Sequence, residues 1–146
     1  MSDDALLRDR LRKIETLLAG AGTEGERLAA EAALERVRAR LAGFARSDPA
    51  IEIKITLPDE WSRRLFLALA RRYELKPYRY RKQRYTTVML RVPRRVVDEV
   101  LWPEFKELNQ ALQAYLGDVT VRLIREQVHA DTSEAAEITG ALPAPE

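Results

Sequence analysis

The chain has 146 residues, no cysteine, a single histidine and a formal net charge of +2. That length suits one domain, or one small domain with a helical extension, and buries about two-thirds of the unfolded surface. Without cysteine there is no disulfide, thiolate metal site or cysteine nucleophile, and His129 has no second imidazole for zinc or a histidine relay.

The opening MSDDALLRDR carries acids where a signal peptide needs cations, and no run of about eighteen apolar residues follows. The expectation is a cytoplasmic protein without a membrane association. Ser2 caps a first helix with Asp3 and Asp4 in its opening turn, and Leu7, Leu11, Ile14 and Leu18 form one stripe. Gly20 and Gly22 stop it. Thr23 and Glu26 then fit a capping box, and Leu34, Val37, Leu41 and Phe44 give a second amphipathic helix. Residues 1–46 therefore read as a helical hairpin.

Past Ser47, Asp48 and Pro49 the period becomes two. Ile51, Ile53, Ile55 and Leu57 alternate with Glu52, Lys54 and Thr56 as in a half-buried strand. Pro58, Asp59 and Glu60 open a helix whose apolar side is Trp61, Leu65, Leu69 and Tyr73, ending before Pro77. Two strands are predicted next, over 78–81 and 85–92, the second alternating Val88, Leu90 and Val92. Pro93 begins a helix with Val96, Val97, Val100 and Leu101. Pro103 kinks it or starts a new one, and Phe105, Leu108, Leu112, Tyr115, Val119 and Leu123 continue as a near-heptad stripe. Trp61 and Trp102 are expected in the core. The expected fold class is α+β: an N-terminal helical hairpin, a β-α-β-β-α domain over 50–128 with a small three-stranded sheet and a long C-terminal helix, and a mostly disordered acidic tail over 129–146.

The modest net charge conceals segregation. Residues 61–97 hold twelve Arg and Lys against the lone Glu74, a local charge of +11, whereas residues 98–146 sum to −7. Such a block produces a local field that suits a polyanion. Ten of its twelve cations are arginine, which grips phosphate with two donors and stacks on bases.

At the N-terminus, Lys13, Ile14, Leu17, Leu18 and Ala21, followed by Thr23, Glu26, Ala29, Ala30 and Ala33, resemble the bacterial and phage domain of unknown function numbered two-seven-eight-six. Its members open with a K-I-x-x-L-L-x-x-A helix, a turn and an alanine-rich helix. The resemblance covers the first third of the chain, implies a bacterial, phage or mobile-element origin, and carries no activity with it.

The functional expectation is a small protein that binds nucleic acid, DNA or RNA, with little sequence specificity. Its candidate contacts are Arg63, Arg64 and Arg71 on the helix after Pro58; Lys76, Tyr78, Arg79, Tyr80, Arg81, Lys82, Arg84, Tyr85 and Arg91 on the basic hairpin; and Arg94 and Arg95 before the last helix. Loop parity governs the tyrosines. An even loop puts them outside with Thr87, Met89 and Arg91, and an odd one puts Tyr78 and Tyr80 in the core with Val88 and Leu90. The alternative is an assembly module, a homo-oligomer through the N- and C-terminal helices, with the basic block docked on the acidic segment. No catalytic set, metal-ligand spacing or phosphate loop appears, so neither an enzyme nor a cofactor is expected.

Overall fold

The computed structural model describes residues 23–140 and 142. The predicted first helix, with Leu7 to Leu18 and the resemblance residues Lys13 to Ala21, lies outside the described residues. Two compact units divide the chain, one ending at Ala114 and one starting at Tyr115.

In the first unit, helix α1 spans Glu24–Ser47. Its capping box is complete: Thr23 Oγ1 accepts from the Glu26 N–H at 3.1 Å, and the Thr23 N–H donates to Glu26 Oε2 at 3.3 Å. Residues 24–32 are exposed throughout, and the helix joins the core only through Leu41 and Phe44, with Leu34 and Val37 partly covered. Strand β1, Ile51–Thr56, pairs antiparallel with β2, Thr87–Val92, in the register Ile51 to Val92 and Thr56 to Thr87. Ile53, Ile55, Val88, Leu90 and Val92 face the core. A two-stranded sheet is marginal alone, so its stability comes from the helices packed on this face.

Helix α2, Glu60–Arg72, is capped by Asp59, whose side chain accepts from the Ser62 N–H at 2.8 Å. Its buried side is Ser62, Phe66, Leu69 and Ala70, and Phe66 meets Phe105 edge-on with centroids 5.6 Å apart. Ser62 is fully buried because its hydroxyl donates to Asn109 Oδ1 at 2.9 Å. The helix ends in a Schellman turn, with Leu75 N–H on Ala70 O and Glu74 N–H on Arg71 O, both at 3.0 Å. Glu74 takes φ 63° there. A left-handed backbone costs a non-glycine residue about 1 kcal/mol, and packing of Leu75 against the core offsets it.

Four expectations are corrected. The sheet has two strands, not three, so no β-α-β-β-α unit forms; the order is α1, β1, α2, β2 and a C-terminal helix within an α+β architecture. The predicted strand 78–81 reduces to one bridge between Tyr78 and Met89. Beyond it the Tyr80 N–H is taken by the Gln83 side chain and cannot extend a ladder. Residue 85 and residue 86 are likewise absent from β2, because Arg84 O and Thr87 N–H close a turn around them at 3.0 Å. Trp61 is 51% exposed and Trp102 36%. On α2 the buried Phe66 and Ala70 lie about 140° and 180° round from Trp61 at 100° per residue.

A π-helical segment, Val96–Leu101, precedes helix α3, Trp102–Gln127. Pro103 supplies the cause: it has no N–H for the carbonyl one turn back and its ring crowds that carbonyl, so the Trp102 N–H reaches Val97 O instead. Up to Ala114, α3 buries Phe105 and Ala111.

In the second unit, the remainder of α3 buries no side chain, and Val119, Val121 and Leu123 are exposed. Neither helix nor strand occurs among the described residues after Val128. No helix among the described residues is long and apolar enough to cross a membrane.

Candidate nucleic-acid interface

The chain from Tyr73 to Thr86 leaves α2 and enters β2, and side chains rather than a ladder fix its shape. Gln83 holds its centre. Its N–H donates to Tyr80 O at 3.2 Å, closing a turn with Arg81 and Lys82 at the tip. Its Oε1 accepts from the Tyr80 N–H at 3.0 Å, its carbonyl from Arg79 Nη1 at 3.1 Å, and its Nε2 contacts Met89 Sδ at 3.3 Å. Met89 and Thr87, on the sheet side away from the core, are buried, Met89 beneath Gln83.

Tyr78 and Tyr80 lie on that same outer side, not among the core valines. Both hydroxyls donate to Glu52 Oε2, and the rings meet edge-on at 5.7 Å. Glu52 faces Arg91 across the strands. Hydrogen bonds from Tyr78 and Tyr80, with the charge of Arg91, hold the Glu52 carboxyl below its usual range. The reciprocal effect pushes Tyr78 up to about 12 and raises Tyr80, the bond to Glu52 being the leading cause in each.

Tyr85 is held differently. The Arg63 guanidinium, from α2, lies 4.0 Å from its ring centroid and that of Arg79 5.5 Å. This joins the helix and the loop at one aromatic ring. Arg63 is half-buried.

Apart from Arg91, which faces Glu52, the other predicted contacts separate into two groups. Arg64 and Arg95 are engaged with acids, as is the neighbouring Arg72: Arg64 with Glu60 at 2.8 Å, Arg72 with Glu104 at 3.4 Å and Arg95 with Asp48 at 2.6 Å. Arg95 also donates to Ser47 Oγ and lies 4.4 Å from the Phe44 ring centroid, so it clamps the end of α1. Its bond to Asp48 is the main reason the Asp48 carboxyl sits below its usual range. Arg63, Arg71, Lys76, Arg79, Arg81, Lys82, Arg84 and Arg94 make no ion pair among the described residues. All of these but Arg63 are exposed. Arg94 and Arg95 follow the far end of β2, about 17 Å from the loop at about 3.4 Å per residue, so the loop cluster does not include them.

Two residues that matter to this site were not singled out by sequence reasoning. Glu52 carries a readable signal, since it alternates outward on β1. Gln83 carries a fainter one, as the sole uncharged, non-aromatic residue from Tyr78 to Tyr85. No family model, curated protein or solved structure matches the chain, and its own residues therefore carry the functional argument.

Proposed function

We propose that the protein binds nucleic acid with little sequence preference, through the loop 79–86 and the neighbouring flank of α2. The observation that carries this is the meeting of Arg63 and Arg79 at the half-exposed Tyr85 ring, beside Arg81, Lys82 and Arg84, which have no acidic partner among the described residues. Cations without intramolecular partners lose no ion pair when they meet phosphate, and each contact releases a counterion. Long exposed side chains match backbone charge rather than base edges, which accounts for the low sequence preference.

Fluorescence anisotropy with labelled oligonucleotides of unrelated sequence tests the reading. Micromolar or tighter affinity is expected at about 50 mM salt, similar between sequences. Combined replacement Arg81→Glu, Lys82→Glu and Arg84→Glu should weaken binding by at least about tenfold, while the thermal transition stays near that of the parent, because all three side chains are exposed. Absence of binding at low salt would overturn the proposal. Unchanged affinity in the triple variant would remove this loop from the interface.

A further inference from the structure

Tyr85 is the loop tyrosine whose hydroxyl makes no hydrogen bond among the described residues, whereas those of Tyr78 and Tyr80 are both committed to Glu52. It is 52% exposed, and its contacts are the Arg63 and Arg79 guanidinium groups. The Arg63 Nε is buried without an acceptor, so packing on the tyrosine ring, not an acid, positions that guanidinium. A flat ring backed by a flat cation, with three further cations on the same loop, has the composition of a base-stacking platform.

We infer that the ligand of this surface is single-stranded nucleic acid in preference to duplex, with one base stacked against the Tyr85–Arg63 pair. This rests on the nucleic-acid reading above and narrows its substrate class. In a duplex the base faces are hidden in the helical stack, and side chains reach only edges and phosphates. Reading a major groove takes an α-helix or a two-stranded ribbon. The basic loop is neither, because the predicted hairpin is replaced by two turns, around Arg81–Lys82 and around Tyr85–Thr86. A duplex therefore leaves the exposed ring unused, whereas a single strand can offer a base to Tyr85 and successive phosphates to Arg81, Lys82 and Arg84.

The test compares a labelled oligothymidine of about fifteen nucleotides with a duplex of equal length, at one salt concentration. The full-length protein should bind the single strand several-fold more tightly. Tyr85→Ala should weaken single-strand binding about tenfold and change duplex binding less than about twofold. Tyr85→Leu, which keeps apolar cover beneath Arg63, should show the same selective loss and guards against a folding defect in the alanine variant. Tyr85→Phe should bind as the parent does. Duplex binding equal to or tighter than single-strand binding overturns the inference. So does an equal loss on both ligands, or none, in the alanine and leucine variants; in these cases the broader reading stands. If the parent binds neither ligand, both fall together.

Discussion

At Glu52 two tyrosine hydroxyls and a facing arginine act on one carboxylate. The ionised form is the one that accepts both bonds, so the folded protein favours it more than the unfolded chain does. A carboxyl held below its ordinary value of 4.5 contributes stability that is complete above that value and is lost as pH falls through the lower folded one. At the alkaline end the tyrosines behave oppositely. Tyr78, raised to about 12, contributes stability that is complete below about 10 and lost as pH climbs towards 12. Glu52→Gln removes the carboxylate charge and leaves only a neutral amide oxygen as acceptor, which should flatten both dependences. Urea midpoints of parent and variant should differ most near neutrality and converge as pH falls from there through 4.5 and below. Asp48, held low by Arg95, continues to make the variant acid-sensitive. A parent-to-variant gap that is constant across that range would mean that the carboxylate contributes nothing to folding.

At the scale of elements, Gln83 determines whether the loop is a loop. Replacement by alanine removes the acceptor for the Tyr80 N–H and the contact to Met89. The cost should be about 1 kcal/mol in chemical denaturation, with faster hydrogen exchange at the Tyr80 amide, whereas Gln83→Glu retains the acceptor and should keep that amide protected. The same residue marks where sequence pattern stops being informative. Long-period signals were readable: the Thr23–Glu26 box, the alternation of Ile51 to Leu57 and the proline-bounded helices each have a local physical cause in a few adjacent side chains. The stretch from Tyr78 to Thr86 has strand-like composition, yet its backbone donors are taken by a side chain and by turn carbonyls, a competition that propensity does not report. Trp61 failed for another reason. The wheel places Trp61, Leu65, Leu69 and Tyr73 on one apolar arc, but the full burial of Ser62, stabilised by Asn109 from a distant helix, turns the helix so that Phe66 and Ala70 are buried and Trp61 is not. The basic residues themselves were legible, and Arg64 stands four residues after Glu60 on one helix, but the neutralisation of Arg72 and Arg95 was not, because Glu104 and Asp48 are distant from them in sequence.

Across the molecule, the +11 block is divided by those acids into cations that stabilise the fold and cations open to a ligand. Of its twelve, three are in ion pairs, and Arg91 faces Glu52 across the sheet. Five of the rest gather on the loop or at Tyr85: Arg63, Arg79, Arg81, Lys82 and Arg84. If those five meet phosphates of a single strand, the logarithm of affinity should fall with the logarithm of salt at a slope of about −3 to −4, or about a hundredfold between 50 and 200 mM. Neutralising one loop cation, as in Arg81→Gln, should reduce that slope by about 0.7. Arg95→Gln separates the two populations of charge, because Arg95 is committed to Asp48 and Ser47 at the end of α1. It should lower the unfolding midpoint, removing the partner that holds the Asp48 carboxyl ionised, and leave the salt slope within error of the parent. A slope that falls equally in both variants would mean that the block acts as one diffuse field, whereas a fall confined to Arg81→Gln would place the phosphate contacts on the loop.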